Sequence, residues 1–578
     1  MKPHTKRYFV WLPLWIALGV VAGIVIGNMF SIFNPVIQTN VFRGGNKLDA
    51  VIQFVNDTYV DSVNTQELIE RTIPTFVSEL DPHSTYISAE DMALTGDDLE
   101  GHFGGIGVQF VLRNDTVMVV NVIPGGPSQA AGIRPGDRIV YVNDSVYTGK
   151  SMTNDKVMRG LRGQKGTDVK LGIKRFNSPD IVDILVQRGD IPVNTVDVSY
   201  SPAEKIGYIK INKFGSTTYQ EFIAAISKLK SQGDTSFILD LRQNTGGYMN
   251  AAIDMINEFL ERGQLIVYTE GRAFPRENAL ANGSGSLKKD QLIVLIDEGS
   301  ASASEIFAGA IQDHDRGLVI GRRSFGKGLV QNQQKFRDGS ALRLTIARYY
   351  TPSGRSIQKP YELGKSGDYN KDLVNRFLRG EFYSQDSIKQ DHEHIYHTAG
   401  GRPVYGNGGI MPDIFIPRDT TGVNSYYITV ANEGLIYEAA FSYTDQNREK
   451  LEEFKTWQEL DNYLSRQPLV ANLVNLANSK GVRYRPHLVN ESAKLIMTQL
   501  KAQIIRNIFD DDGFFPVILE DDIVLKKAIE LLQQNKAYPD IIRAEGYTSS
   551  LQSNNTVSYD RNLKGIFREY LIDDSYYA

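Results

Sequence analysis

Three serines and a lysine carry the chemistry this chain could do. The run Gly299-Ser300-Ala301-Ser302-Ala303-Ser304-Glu305 stands where an apolar helix should begin, and Lys327 follows Ser302 by 25 positions, between Gly326 and Gly328. A serine hydroxyl becomes a nucleophile only with a base beside it. His314 is the only histidine between His102 and His392. Twelve residues along the same helix put it about 18 Å from Ser302, out of reach. Lysine is left, and its usual pKa of about 10.4 must fall by roughly 3 units, about 4–5 kcal/mol, which demands burial. Ser302-x-x-Glu305 also spells a capping box, so a plain helix cap competes with a nucleophile. A helix amino terminus would offer free N–H groups and partial positive charge to a developing oxyanion. Ser302 with Lys327 is the working pair, although local spacing leaves Ser300 and Ser304 open as well.

Gly321 to Gly328 half resembles a phosphate-binding loop. Gly328, however, stands where Ser or Thr should hold magnesium, and Leu329 to Phe336 reads as a strand rather than a helix. Nucleotide binding is disfavoured.

The elements that must position this pair read as alternating strands and helices from about Ile206. Gly207–Ile211, Phe237–Leu241 and Leu292–Ile296 are strand-like, Tyr219–Lys230 and Met249–Leu260 helical, which implies an α/β layer structure. Ligands collect beyond strand ends in such sheets. Two loops satisfy that rule: Arg242-Gln243-Asn244-Thr245-Gly246-Gly247, and Asp297 to Ser302.

Upstream, Gly101-His102-Phe103-Gly104-Gly105-Ile106-Gly107-Val108 is glycine-rich but followed by strands, not by the helix a nucleotide loop needs. A loop whose N–H groups converge on a carboxylate, beside a strand edge that takes an extended peptide, fits better. Pro124 to Ile133 and Arg134 to Val140 complete a likeness to a PDZ domain over roughly Gly101 to Arg188, with Asn154–Leu161 as the flanking helix. Gly104, Gly105, Ile106, Gly107 and Val108 are the candidate peptide-binding residues. A β domain serving only as a spacer is the plainer reading.

With 578 residues, 41% hydrophobic, 23% charged, the chain is globular and multidomain. Its net charge of −5 implies no nucleic-acid partner, and zero cysteines exclude disulfides and thiolate chemistry. Lys2, Lys6 and Arg7 precede an apolar run, Tyr8 to Phe30. About 20 such residues span a bilayer, and the leading positive charges keep that end inside. A cleaved signal peptide is the alternative, but the run is long for one and lacks a clean small-residue site.

Gly299 to Glu305, Asp313, Ser324 to Gln331, Leu344 to Arg355, Asp240-Leu241-Arg242 with Gly246-Gly247, the PDZ motifs and Leu80-Asp81-Pro82-His83-Ser84 together resemble the carboxy-terminal processing, or tail-specific, proteases. The likeness runs in order from about Lys47 to Pro417. It implies a crotonase/ClpP-like α/β core with an inserted PDZ-like domain. It also implies Ser302 as nucleophile, Lys327 as base, Gln331 orienting the lysine, and an oxyanion hole from the N–H groups of Ala303 and the Gly246-Gly247 turn. Asp313 matches an acidic position sometimes grouped with the dyad; by helical rise it lies far from Ser302, so a structural role is expected. His83, alone in a turn, is read as structural too. Two departures stand out. Thr245 replaces a proline common in the family, and Arg322-Arg323 add positive charge expected to depress the Lys327 pKa.

His392-Glu393-His394 with His397 read as solvated histidines rather than a metal site, and the chemistry calls for no metal or cofactor. Past Thr420, Ile496, Leu500, Ile504 and Ile508 mark an amphipathic helix, which Asp510-Asp511-Asp512-Gly513 should end; Glu520 to Gln534 reads as another. The expected layout is α/β multidomain. Residues 1–7 form a cytoplasmic end, 8–30 a transmembrane anchor, 31–100 a helical region, 101–190 a PDZ-like domain, 191–420 the protease core and 421–578 a helical domain. The expected activity is that of an envelope serine endopeptidase acting on unfolded or flexible protein C-termini. It would sit as a single-pass protein in a bacterial inner membrane with its bulk in the periplasm, and assembly into a homo-oligomer is left open. The rival is a membrane-anchored PDZ scaffold with a catalytically dead core.

Overall fold

The computed structural model describes residues 11–33, 47–94, 101–113, 115–175, 178–364, 366–389 and 393–539. The chain divides into two compact units between Ile73 and Pro74. The first contains the helices Leu12–Phe33 and Lys47–Thr58. Leu12–Phe33 carries exposed Trp15, Ile16, Leu18 and Ile24. Among the described residues no helix is long and apolar enough to cross a membrane. Tyr8, Phe9 and Val10 of the expected anchor lie outside the described residues, as do the side chains of Leu12, Gly27, Asn28 and Phe30.

In the second unit, a six-stranded sheet forms the catalytic framework. Its order is Val196–Ala203, Ile206–Ile211, Ser236–Asp240, Gln291–Ile296, Leu318–Gly321, Ile414–Phe415. The first pair is antiparallel and the rest parallel. Side chains alternate across a strand, and here both sets are buried. Phe237, Leu239, Leu292 and Val294 pack under the helices Thr218–Ser231, Met249–Asn257 and Ala303–Asp313. On the other face, Tyr208, Ile238, Ile293 and Leu295 pack against Val524, Leu525, Ala528 and Leu531 of the helix Ile523–Gln533. That helix follows the whole carboxy-terminal domain in sequence, yet it completes the catalytic core.

A smaller sheet stands beside the first. Its longest strand, Ala341–Tyr350, pairs with Leu329–Lys335, Leu265–Glu270 and the three-residue strand Thr85–Ile87. The last of these comes from before the glycine-rich domain, so a segment far upstream is stitched to the strands after the lysine turn.

The glycine-rich domain is a β structure in which Val108–Arg113 forms one edge of the sheet. The helix Asn154–Leu161 begins at Thr153, whose side chain accepts from the Lys156 N–H. Ile106, Val108, Phe110, Val157 and Leu161 share its core.

Beyond Asn424, helices bury Ile496, Leu500 and Ile504 in one cluster, with Ile508 at its margin. Asp510 ends that helix, as its neighbours suggested: it takes the non-helical φ 51°, ψ −151°, and a second helical stretch follows it to Ile518. His392 lies outside the described residues, and His397 ends a short strand, Ile395–His397, paired with Pro403–Tyr405.

Candidate active site

Ser302 sits at the sharp turn between the Gln291–Ile296 strand and the Ala303–Asp313 helix. Its φ of 54° and ψ of −114° are costly for any residue with a Cβ. Such strain, on the order of 1–3 kcal/mol, persists only where the surroundings over-determine it. The determinant is Glu305. Its carboxylate is fully buried and accepts four hydrogen bonds. Oε2 takes the Ser302 N–H at 2.9 Å and the Lys327 N–H at 2.8 Å; Oε1 takes the Gly326 N–H at 2.7 Å and the Ser324 hydroxyl at 2.5 Å. One carboxylate thus ties the serine turn to the lysine turn, and two bonds to one oxygen keep the two amides less than about 6 Å apart. Burial pushes the Glu305 carboxyl up to about 7, against the four donors, which favour its ionised form.

A second pin comes from Asn244, fully buried in the loop after the Ser236–Asp240 strand. Its carbonyl accepts the Ala301 N–H and the Ser304 hydroxyl, each at 2.9 Å. Its side chain donates to the Ile211 carbonyl and accepts the Gly246 N–H, again at 2.9 Å. Ser304 and Ser300 are thereby spoken for, since the Ser300 hydroxyl donates to the Leu241 carbonyl at 2.8 Å. Of the three serines only Ser302 is not fully buried.

The structure divides the expected oxyanion glycines. Gly246 presses on Ser302, and a Cβ there would lie 2.6 Å from the serine Cβ, but its N–H is taken by Asn244. Gly247 is bracketed by Phe214, which reaches Gly246 O and the Tyr248 N–H. Among the described residues nothing accepts the N–H of Gly247 or of Ala303. These two N–H groups stay unclaimed, whereas that of Gly246 does not. Arg242, in the same loop, pairs with Asp240 at 2.6 Å and with Asp522, the cap of the Ile523–Gln533 helix, at 2.7 Å.

Lys327 is largely buried. Its ammonium donates to Gln331 Oε1 at 3.3 Å, and no hydrogen bond joins it to Ser302. Burial depresses its pKa, with help from Arg343, while Glu305 and Asp81 pull the other way. The expected contribution of Arg322 and Arg323 is not what the structure shows. Arg322 pairs with Glu298 at 2.7 Å and Arg323 with Glu381 at 2.8 Å, so both charges are spent locally. The nearby cation is Arg343, on the strand opposite. Arg376 donates to the carbonyls of Ser324 and Arg323 at 2.9 and 2.7 Å and so holds the lysine turn from outside.

Sequence reasoning missed three contributors. Glu305 was read only as a cap. Tyr349, fully buried, donates its hydroxyl to the Lys327 carbonyl and lies beside the Ser302 side chain; burial raises its pKa well above the usual value, so the phenol stays neutral. His83 lies at this site: its carbonyl accepts from Gln331 Nε2, its Nε2 meets the Tyr369 hydroxyl at 2.8 Å, and burial plus Lys327 lowers its pKa to about 4. A pattern of Asp-x-His-Ser in a turn was the available signal. Asp313 pairs with Arg355 at 2.8 Å, both fully buried, at the far end of the nucleophile helix.

The fold therefore holds a serine on a strained strand–helix turn, a buried lysine and two free N–H groups beside a β domain with an open edge. Residues 205–370 match the model of peptidase family S41, residues 104–186 that of the PDZ domain, and residues 426–510 a family of unknown function, DUF8443. A probable CtpA-like serine protease of Staphylococcus aureus (strain N315) is 36% identical over 367 residues, 62% of this chain and 71% of that protein. One from Staphylococcus haemolyticus is 34% identical over 358 residues, 61% and 71%. Among solved structures, the photosystem II D1 C-terminal processing protease aligns at 24% identity and TM-score 0.34, over 65% of this chain and 93% of that one. The PDZ domain of a carboxy-terminal protease from Vibrio cholerae, solved with a peptide, aligns at 24% identity and TM-score 0.15, over 16% and 99%. The chain belongs to peptidase family S41, among its CtpA-like carboxy-terminal processing proteases. It is a serine-type peptidase with a PDZ domain.

Proposed function

We propose that Ser302 and Lys327 form the catalytic dyad of an endopeptidase that the PDZ domain supplies with flexible protein C-termini. The observation that carries this reading is the Glu305 carboxylate, which binds the Ser302 and Lys327 amides through one oxygen. Those shared bonds fix the backbones of the nucleophile and of the base against each other. Ser302 Oγ attacks the scissile carbonyl carbon while its proton passes to neutral Lys327 Nζ, and the oxyanion settles on the N–H groups of Gly247 and Ala303. Lys327 then protonates the departing amine as the C–N bond breaks, leaving an ester on Ser302. Water, deprotonated by Lys327, cleaves that ester and restores the serine. Gln331 accepts one N–H of the neutral amine. A neutral amide does this without the charge that would raise the lysine pKa.

Substrate capture is supported by the edge strand Val108–Arg113 and the loop before it. Among the described residues the N–H groups of Ile106 and Gly107 have no acceptor, and Gly107 holds φ +77°. Two convergent donors beside an open edge suit a terminal carboxylate followed by strand addition. Ser302→Ala should abolish cleavage of an unfolded reporter and leave binding of a C-terminal peptide intact. Undiminished cleavage would overturn the assignment.

The exposed apolar side chains of Leu12–Phe33, with Lys2, Lys6 and Arg7 before them, support attachment to a bacterial inner membrane with the peptidase outside. Retention of the full chain in the membrane pellet after alkaline carbonate washing is the expected result; release would refute it.

A further inference from the structure

We propose that the turn Asp81–Ser84, which precedes the PDZ domain, is a positioning element for Lys327, acting through Gln331. This inference rests on the dyad reading and adds residues to it.

The case begins with Gln331. A glutamine amide can present either oxygen or nitrogen in a given direction, and a lysine acting as base needs the oxygen. Gln331 Nε2 is claimed by the carbonyl of His83, a group that can only accept. That contact fixes the amide and turns Oε1 onto Lys327 Nζ. Gln331 also stands at a register shift in the Leu329–Lys335 ladder, a place where a bulge re-aims a side chain. The backbone alone would not hold it.

The His83 carbonyl is held in turn by Asp81. Asp81 Oδ1 accepts the N–H groups of His83 and Ser84, both at 2.8 Å, and its other oxygen accepts the Ser84 hydroxyl. The turn is then bolted to Thr345, the residue directly across the ladder from Gln331. Thr345 Oγ1 donates to Asp81 Oδ1 at 3.1 Å, and its N–H donates to Ser84 Oγ at 3.0 Å. The His83 ring closes the assembly on Tyr369. One upstream turn, 248 residues from Gln331 in sequence, thus holds both Gln331 and its ladder partner Thr345.

Asp81 has two opposed effects, and they separate experimentally. The charged or titratable groups facing Lys327 are Arg343 and the neutral phenol of Tyr349 on the opposite strand, Glu305 on the nucleophile helix, and Asp81 and His83 on the turn. Asp81's negative charge raises the lysine pKa, so removing charge alone moves the acidic limb of the rate profile to lower pH. Loss of positioning instead lowers the plateau above that limb.

The test measures kcat, KM and the pH profile of the full chain on an unfolded reporter. Asp81→Ala should lower the plateau kcat about 10- to 100-fold with KM within about twofold, Gln331→Leu should do the same, and the double variant should be no worse than either. Asp81→Asn keeps the acceptor for the turn. It should recover at least about tenfold of the lost plateau and shift the limb acidward. A plateau for Asp81→Ala within twofold of the parent, or losses that multiply in the double variant, overturns the proposal. If Asp81→Ala does not fold, Thr345→Val serves: a roughly 3- to 10-fold fall that does not multiply with Gln331→Leu supports it, and no fall overturns it. Ser302→Ala separates the two levels. Cleavage by that variant removes the dyad reading itself, whereas a dead Ser302→Ala beside a fully active Asp81→Ala removes only this inference.

Discussion

The serine turn and the lysine turn face each other but are built by opposite means. Ser302 is fixed by neighbours from two adjacent strand ends, Asn244 on one loop and Glu305 on its own helix. Lys327 is fixed from three distant stretches: Arg376 and Glu381 after it, Gln358, whose Oε1 takes the Gly328 N–H at 2.8 Å, and Asp81–Ser84 before the PDZ domain. The serine turn is therefore a local product of the fold. The lysine turn depends on segments that must be brought in from elsewhere, so it can be perturbed without damage to the sheet.

Removing either functional group should have the largest effect. Ser302→Ala and Lys327→Ala are each expected to cut kcat about 10⁴- to 10⁶-fold, with the double variant no worse. More than 1% residual turnover in Lys327→Ala would place the base elsewhere and dissolve the contrast. Next, Arg376→Met strands Glu381 beside fewer cations and frees two carbonyls of the lysine turn. It should cost about 3–5 kcal/mol in urea denaturation, while the sheet face around Ser302 keeps its hydrogen-exchange protection. On the serine side, Gly247→Ala must leave φ +138° or push its Cβ to 2.0 Å from the Phe214 carbonyl. A fall of about 10²- to 10³-fold in kcat is expected, as for loss of an oxyanion donor.

The smallest effect sharpens the one element both turns share. Glu305 has a folded pKa of about 7 against 4.5 for the free side chain. Between those values the unfolded chain has released this proton and the folded one still holds it. Stability should therefore fall as pH rises from about 4.5 to 7, by on the order of 3 kcal/mol in total, and level off above. Thermal melts across that window should show the slope, and Glu305→Gln should lack it.

The strand and helix pattern of the core and the Ile496-Leu500-Ile504 stripe were legible because each depends on short-range periodicity, whereas the PDZ domain was legible through the resemblance of its glycine loop and of Pro124 to Val140. A serine at a helix start and the lack of a nearby histidine pointed to a serine–lysine pair, but the choice of Ser302 among three serines came from the resemblance to the processing proteases. Arg322 and Arg323 misled because sequence proximity to Lys327 says nothing of partners. Glu298 and Glu381 claim those charges, while Arg343, nearer in space, lies 16 positions on. The helix stop at Asp510 was legible, since three successive acids and a glycine mark a local break. The turn at Asp81 was visible as a turn, but nothing in its spacing announced that its carbonyl meets Gln331.

The Ile523–Gln533 helix gives this enzyme a calendar. A ribosome delivers the chain from its amino end, so every strand of the catalytic sheet emerges before the helix that covers Ile238, Ile293 and Leu295. Until Asp522 arrives, Arg242 lacks its outer partner. The peptidase core therefore stays incomplete until residues 522–533 have been made.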